Sequence, residues 1–492
     1  MRTDLALPPS RQLVPAALAP VVRGNGPAMA PAQGGRPAFA VSMPAAAQLL
    51  FAKVARSLSI GTIRRRRLLF AATAGLFATI VPTEIAFGLE MWVSKTIAGI
   101  PQHYILTTLV VVIAIAADGK YLQRLLSRPI TVFYLACLLM VVTVGIFRNG
   151  YNGYIVRADL YLIRWFFVGF MLMRLAIASG YLREYLMVAA VVILVTAFRI
   201  SDRNTMGGQI DTSMMRVSSS DLWPVINLGL IMLGLLVTVN WPRGILHVAF
   251  TSSAFAALVL VGALRTSTRS LFISQTLCFL LCLVALSRDP RMRGRGRELR
   301  RAGLLLVLLG AAIVAYLVVT GQIMSELTQL GSRFTEETSE RYDTGAYRLK
   351  EAYEMLETMT AEAWLFGVGV GGMWFSAYSN SWVGMPHIAI LGWLFKGGFF
   401  VLLVVLWALY IRPFAAFLKS IVASRRDMPL PPAILIVGPP LLAWAMLTFL
   451  SGGLDLGSFL GLGGLSALWL QLADDERHFL AARTKPLANA PC

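Results

Sequence analysis

Charged residues, cysteines and histidines are all scarce in this 492-residue sequence. Charged side chains make up 14% of the chain and hydrophobic ones 57%, with a mean hydropathy of +0.69, which excludes an ordinary soluble globular domain. Three of the four cysteines lie inside apolar runs and the fourth is the last residue, so neither a disulfide framework nor a zinc pattern is indicated. The solvent for this fold is therefore expected to be mostly lipid.

Acidic residues are also few, which leaves a formal net charge of +19. The arginines fall in short clusters between apolar runs rather than along one solvated face, so nucleic-acid binding is not predicted. We interpret the clusters as signals for membrane topology.

The first 63 residues lack both a packable apolar pattern and the uninterrupted apolar stretch of a cleavable signal peptide. They are rich in Ala, Pro and Gly and contain a single acid, Asp4, so a disordered tail is expected. The run from Arg64 to Arg67 precedes the first strong apolar segment and should hold this tail in the cytoplasm. The tail is a candidate for a cytoplasmic contact with other export components.

Apolar stretches long enough to cross a bilayer recur throughout the rest of the chain. They predict an all-α polytopic membrane protein of about twelve transmembrane helices, with one large periplasmic loop between helices 9 and 10. The expected domains are a transmembrane region over 64–475, which includes the loop at 321–386, and a cytoplasmic tail at 476–492. The predicted spans are 68–89, 103–118, 130–147, 160–179, 184–199, 222–239, 244–264, 270–287, 302–320, 387–411, 432–450 and 455–471.

The distribution of basic residues supports one orientation of these spans. The connections that this arrangement places inside hold most of the Lys and Arg residues, including the cluster at 288–301, whereas the long loop has more acids than bases. This bias predicts that both termini are cytoplasmic.

The long loop contains a candidate amphipathic helix followed by a glycine-rich stretch. Ala346, Leu349, Tyr353 and Leu356 recur at helical spacing, which indicates a helix on the membrane surface or one that caps the bundle. The glycines of the stretch 364–372 spell G-x-G-x-x-G, but no predicted strand precedes them, so dinucleotide binding is rejected. A tight turn that brings backbone close to the membrane or to a glycan is the favoured interpretation.

The positive-inside rule does not account for arginines on the predicted outer face, so these residues are the first candidates for a functional site. Together they would form a basic cavity suited to a diphosphate, because guanidinium groups bind phosphate bidentately and stay charged at low dielectric. The alternative is that they reach lipid headgroups or pair with the acids of the loop. The leading candidates are Arg216, Arg265, Arg269, Arg341 and Arg348.

Two further residues stand out by position. His387 lies where the long loop meets the tenth span, and a neutral imidazole can accept a proton from a sugar hydroxyl or donate to a leaving diphosphate. Glu84, near the outer end of the first span, is an intramembrane acid and therefore a candidate for substrate binding, although it could instead pair with an inward-facing arginine.

Four local patterns resemble the bacterial O-antigen ligase and polysaccharide polymerase superfamily of lipid-linked glycan transferases. They are Thr266–Ser270 at the start of a span, the stretch 216–227, Tyr347–Arg348 with the helix and glycines up to 372, and 386–398 from Pro-His to Lys-Gly-Gly. The family has Asn after the histidine, and Ile388 stands there in this chain. The resemblance implies a membrane glycosyltransferase that acts at the periplasmic face of the inner membrane on undecaprenyl-diphosphate-linked oligosaccharides, with a glycan acceptor and no cofactor or metal.

The mechanism expected from these residues is attack of an acceptor hydroxyl on the anomeric carbon of the donor, with inversion and release of the diphosphate. Arg216, Arg265 and Arg269 would stabilise the leaving diphosphate, His387 would assist as base or donor, and Arg348 would order the loop or bind glycan. A polymerase of repeat units is favoured over a ligase.

A transporter or flippase of lipid-linked glycans is the rival from another class, because Lys396, Arg164 and Arg174 lie within spans. A structural partner of a synthase is a third alternative.

Overall fold

The computed structural model describes most of the chain between residues 62 and 484. The described ranges are 62–86, 96–97, 100–149, 154–206, 222–240, 245–261, 269–298, 344–377, 380–386, 388–423, 430–450 and 454–484, with isolated positions between 300 and 315.

Helices dominate these ranges, and two short antiparallel hairpins, β1–β2 and β3–β4, accompany them. The helices and strands are α1 (Thr62–Ile80), β1 (Thr96–Ile97), β2 (Ile100–Pro101), α2 (Gln102–Leu126), α3 (Pro129–Asn149), α4 (Tyr154–Ser179), α5 (Leu182–Met206), α6 (Leu222–Asn240), α7 (Ile245–Leu260), α8 (Arg269–Arg288), α9 (Thr344–Glu357), α10 (Ala361–Phe366), β3 (Trp374–Ser376), β4 (Ser381–Val383), α11 (Ala389–Val405), α12 (Arg412–Val422), α13 (Ala433–Leu450) and α14 (Leu456–Thr484). Short π-helical turns follow α1 and join α11 to α12.

Nine helices in the described ranges are long and apolar enough to cross a membrane. Two shorter apolar helices, Ala249–Val259 and Ala433–Phe449, lie beside them. The predicted all-α polytopic class is confirmed. The expected number of about twelve spans stays a prediction, since the span predicted at 302–320 lies mostly outside the described residues.

The centre of the bundle is α6, which is apolar on every side and buried over almost its whole length. Helices α5, α8, α13 and α14 surround it. Helix α4 packs closely on α14, where Gly169 and Gly463 let the two backbones approach without an intervening Cβ atom. Helices gain little from the hydrophobic effect when they associate in lipid, so the van der Waals contacts that small residues permit stabilise this pair.

Helix α3 lies at the periphery of the bundle. Gly145 is its only buried residue among those described, and its apolar side chains, such as Phe147 and Leu139, are exposed. A helix so apolar and so little covered by protein is suited to contact with lipid acyl chains.

The segment at 344–386 packs against α11 through a small core of its own. Met355 of α9, Ala363 of α10 and Trp374 of β3 are buried there against Phe395, with the Trp374 and Phe395 rings edge to face at 5.1 Å. We call the end of the bundle that carries this segment the loop end.

The predicted amphipathic helix is present as α9, and its buried face coincides with the predicted stripe only in part. Leu356 of the stripe packs partly buried against the small core, beside Glu351 and Met355. Leu349 and Tyr353 are 69% and 61% exposed, so the small core covers one end of the stripe and the face next to it. Contact of that stripe with the membrane surface stays a prediction.

Candidate functional site

Most of the residues predicted for the site lie outside the described ranges or have side chains that are not described. Arg269 is the first residue of α8, as expected for a motif that opens a span, although its side chain is not described. Arg348 is half-buried on α9, and Glu84 is buried in the π-helical turn Val81–Ile85. The predicted residues outside the described ranges are Arg216, Arg265, Arg341 and His387.

The glycine-rich stretch forms a turn held deep in the protein at the loop end. Gly367, Gly369 and Gly371 all have positive φ, which side-chain-bearing residues rarely adopt. Gly369 packs so closely on the backbone of Gly145 in α3 that a Cβ atom has no room. The tight turn is present, and the close approach that the structure shows is to the backbone of the same protein. An approach to the membrane or to a glycan stays a prediction.

Helix α3 fastens this turn with two side chains from its last residues. Arg148 donates from Nη1 to the Gly367 carbonyl at 3.1 Å. Asn149 donates from Nδ2 to the carbonyls of Val368 at 3.0 Å and Val370 at 2.9 Å. The turn has no regular secondary structure of its own, so these bonds supply partners that its backbone otherwise lacks.

The turn also pairs with the backbone of α11. Val368 N donates to Phe395 O at 2.8 Å, and Gly369 N donates to Lys396 O at 3.0 Å. These carbonyls are available because α11 is broken at Gly398, whose φ is 69°. Irregular backbone at membrane depth is tolerated where protein covers it, and here two irregular segments satisfy each other.

A buried ion pair lies beside the turn and ties it to α4. Lys396 Nζ of α11 is 2.6 Å from Asp159 Oδ2 of α4, and the two side chains are 7% and 9% exposed. Asp159 Oδ2 also accepts from Gly371 N at 2.8 Å, while Lys396 Nζ donates to Gly372 O at 2.9 Å. Four groups from three chain segments therefore complete each other's hydrogen bonds in a low-dielectric setting.

A second polar cluster surrounds Glu84 at the same end of the bundle. The Tyr161 hydroxyl donates to Glu84 Oε2 at 3.5 Å. The buried His103 ring meets the Tyr161 ring edge to face at 5.8 Å, and the Arg164 guanidinium lies 4.4 Å from the centre of that ring. Glu84 thus lies close to polar and aromatic groups of α2 and α4, and its role in substrate binding stays a prediction.

A third polar group joins the beginnings of α6 and α14. Asp455 is half-buried and accepts hydrogen bonds from the Asn227 side chain and from Ser458, whose N lies at 2.8 Å and Oγ at 3.1 Å. Burial raises the pKa of Asp455 to about 6, against the lowering effect of those hydrogen bonds. The carboxylate caps the N-terminus of α14, so its position has a structural reason.

The sequence patterns do not single out Asp159, which lies just before the predicted span 160–179. They present Lys396 as an intramembrane cation and as part of the motif at 386–398, without a partner. The signal available was that a buried lysine needs an acid, and Asp159 is an acid at a span end. Their sequence separation gives no hint of the pairing, which depends on the tertiary arrangement that brings Asp159 of α4 and Lys396 of α11 to the same glycine turn.

Residues 254–406 match the O-antigen ligase family. The predicted resemblance to the O-antigen ligase and polymerase superfamily is thereby confirmed over this part of the chain. The matched region contains Arg269, the glycine turn and Lys396, whereas Asp159 lies outside it. No curated protein and no solved structure matches the chain.

The match supports a membrane enzyme of the lipid-linked glycan ligase or polymerase type, and together with the apolar helices it indicates a multi-pass protein of the bacterial inner membrane. Lipid-linked glycans and membrane lipids are the substrates and surroundings that this family implies.

Proposed function

We propose that this protein is a polysaccharide polymerase that joins undecaprenyl-diphosphate-linked repeat units at the periplasmic face of the inner membrane. The observation that carries the proposal is the O-antigen ligase match over 254–406, which includes the helix that Arg269 opens and the break at Gly398. Among the described residues this region contains irregular backbone at the loop end, in the glycine turn and at the break in α11. Irregular backbone in a membrane protein is typical of sites that handle a substrate.

In the proposed reaction an oxygen of the acceptor glycan forms a bond to the anomeric carbon of the donor sugar. The bond from that carbon to the diphosphate oxygen breaks from the opposite face, so the configuration inverts. The hydroxyl proton passes to His387, and the diphosphate leaves as an anion that Arg216, Arg265 and Arg269 stabilise. The activated donor supplies the driving force, so the step needs no nucleotide and no metal.

The Lys396–Asp159 pair supports the geometry of this reaction without touching the reacting atoms. His387 immediately precedes Ile388, the N-cap residue of α11, and Lys396 lies two turns further along the same helix. Because Lys396 binds both α4 and the glycine turn, the pair fixes how α11 enters the bundle. A histidine at that entrance must be placed to within a fraction of an ångström to act on a substrate hydroxyl.

An O-antigen ligase is the second candidate, favoured by the description of the matched family itself. It would transfer a finished glycan to lipid A core or another acceptor by the same chemistry. The transporter alternative has less support, because two of the three cations that suggested it are held in ion pairs, Lys396 by Asp159 and Arg174 by Asp118. A cation that moves a substrate across the membrane would need to exchange such partners.

The experiment is deletion of the gene in its host and complementation with the wild type, His387→Ala or Arg269→Ala at matched membrane levels. Accumulation of single lipid-linked repeat units in the deletion strain would support a polymerase, and accumulation of long unattached chains a ligase. Each variant is expected to lose at least a hundredfold of glycan output, the effect of removing one electrostatic partner of a transition state. An unchanged glycan profile in the deletion strain would refute both enzyme functions.

The proposed site requires the loop end to be periplasmic and both termini to be cytoplasmic. A reporter that is active only in the periplasm, fused after residue 492, should therefore be inactive, and the same reporter inserted between β3 and β4 should be active. The reverse pattern would place the site on the wrong side of the membrane for the proposed substrates.

A further inference from the structure

Helix α10 presents large apolar side chains away from the protein. Trp364, Leu365 and Phe366 are 40%, 57% and 49% exposed, although they follow one another in the sequence. Within the helix only Ala363 is buried, in the small core that also holds Trp374. Three consecutive large apolar side chains exposed to water are unfavourable, so this surface is expected to be covered by a partner.

Contacts with the end of α3 fix the level at which α10 lies. Arg148, the penultimate residue of α3, donates to the carbonyl of Gly367, the residue that follows α10. It also pairs with Glu362 of α10 at 2.8 Å. Helix α3 is long and apolar enough to cross a membrane, so its end marks the membrane boundary at the loop end. Helix α10 therefore lies at that boundary.

The glycine turn that follows α10 runs back along α3 towards the middle of the membrane. Val370 N donates to Val141 O at 3.3 Å. Val141 lies about two helical turns, or roughly 11 Å, before Asn149, the last residue of α3. The chain thus passes from α10 directly to membrane depth, as expected if α10 lies at the membrane boundary rather than far above it.

The side chains of α10 suit the headgroup zone better than water or the hydrocarbon centre. Tryptophan is enriched in this zone because its ring is apolar and its N–H is polar. The Arg148–Glu362 pair, whose side chains are 35% and 80% exposed, would be costly in the hydrocarbon centre. Phe147, the residue before Arg148, is 86% exposed. The apolar outer surface of α3 thus extends to the residue that α10 contacts.

We infer that α10 is an interfacial anchor, which inserts Trp364, Leu365 and Phe366 between the lipid headgroups and the upper acyl chains at the loop end. The partner is the bilayer itself, and the contact does not depend on the reaction that the protein catalyses. The Leu365 carbonyl lies beside Gly398, and α10 continues into the glycine turn. The anchor therefore holds the turn and the break in α11 at one depth.

The test measures the depth of a fluorescent label by quenching, with the full-length protein in vesicles of phosphatidylethanolamine and phosphatidylglycerol. Leu365→Cys carries the label in a chain in which Cys137 and Cys492 are replaced by serine, and the two remaining cysteines are buried. The quencher is attached to the lipid acyl chain either close to the headgroup or near the methyl end. A label on Leu139→Cys, in the middle of α3 where the leucine is 65% exposed, reports the hydrocarbon. A label on the native Cys492, in the tail predicted to be cytoplasmic, reports water.

The label on Leu365→Cys should be quenched roughly twofold more strongly by the quencher close to the headgroup than by the deep one. The label on Leu139→Cys should show the reverse order, and the label on Cys492 should respond to neither quencher. The inference is overturned if Leu365→Cys responds like Cys492, because water or a second copy of the chain would then cover α10. It is also overturned if Leu365→Cys responds like Leu139→Cys, which would place α10 in the hydrocarbon. Phe366→Cys supplies the same measurement where Leu365→Cys does not accumulate in the membrane.

Discussion

Helix α4 carries a buried ion pair near each end, and the two pairs differ in what they hold. At the loop end Asp159 binds Lys396 and two backbone groups of the glycine turn. At the other end Arg174 binds Asp118 at a kink in α2 and Gln471 in α14. The first pair fixes irregular backbone within the region that matches the ligase family, and the second joins helices outside it. We therefore expect the first pair to position the proposed site and the second pair to contribute to stability alone.

The largest effect is expected from Lys396→Met. The substitution leaves Asp159 buried without its cation and removes the donor to Gly372, which costs on the order of 3–5 kcal/mol in comparable buried pairs. Glycan output at matched membrane levels should fall to background. The double variant Asp159→Asn with Lys396→Met removes both charges, so it should recover much of the membrane level but little of the output. Full recovery of output would reduce this pair to a structural role.

Gly398→Ala should come next. A Cβ atom there would collide with the Leu365 carbonyl, and the positive φ adds about 1–2 kcal/mol for any side chain. We expect lower accumulation in the membrane and a loss of glycan output beyond that decrease. Gly75→Ala, where a Cβ atom meets nothing within 4 Å, is the matched control and should behave like the wild type. Equal behaviour of the two variants would contradict the account of the break.

Arg174→Met should lower stability to a similar degree as Lys396→Met, because Asp118 is also left without its cation. Glycan output, however, should respond differently to Arg174→Met than to Lys396→Met. Output per folded molecule should stay within about twofold of the wild type, a change too small for a lost transition-state contact. The apparent melting temperature and the glycan ladder, measured on the same membranes, separate the two quantities. A loss of glycan output per folded molecule would contradict the expectation that Arg174 contributes to stability alone.

Asp455, at the loop end, should make the stability of the folded protein depend on pH. Its pKa is about 6 in the folded protein against 3.8 for the unperturbed group, so the folded state binds the proton more tightly than the unfolded state. The contribution to stability therefore falls as pH rises from about 4 to 6 and stays low above that range. The melting temperature of the wild type should rise between pH 7 and pH 5 relative to that of Asp455→Asn. A constant difference between the two proteins would contradict the raised pKa.

The smallest effect is expected from Arg128→Ala, at the end of the bundle away from the loop. Arg128 pairs with Asp474 at 2.5 Å, but its side chain is 31% exposed. Exposed pairs contribute about 0–1 kcal/mol, so neither the melting temperature nor the glycan output should change measurably. A decrease in melting temperature as large as that of Arg174→Met would show that the Arg128–Asp474 and Arg174–Asp118 pairs depend on each other.

The sequence already indicated where much of the fold lies, but it misjudged how some faces are used. The apolar runs predicted helices such as α6 and α8 close to their observed bounds, because membrane spans need long apolar segments whatever their neighbours are. Of the apolar stripe that spacing predicts on α9, Leu356 packs against the small core with β3, whereas Leu349 and Tyr353 are exposed. Periodicity identifies an apolar face and cannot say which surface another element will cover.

Local sequence patterns also fail to predict the contacts of the candidate site. Glu84 was selected because an acid inside a span is costly, and the structure gives it Tyr161 as a partner. Asp159 and Arg164 carry comparable signals, but their importance depends on distances to residues far away in the sequence. The partner of Lys396 is Asp159 Oδ2 at 2.6 Å, 237 residues away in the sequence, and no local pattern links the two residues.

The sequence by itself determined that this chain is an all-α membrane protein with a ligase-family segment, because apolar length, charge and local motifs are properties of neighbouring residues. Only the tertiary structure decided which buried charges are satisfied and which are not. Asp159 meets Lys396 while two nitrogens of Arg164 stay without a described partner. Such pairings arise from helix packing between residues far apart in the chain, and a local pattern holds no information about them.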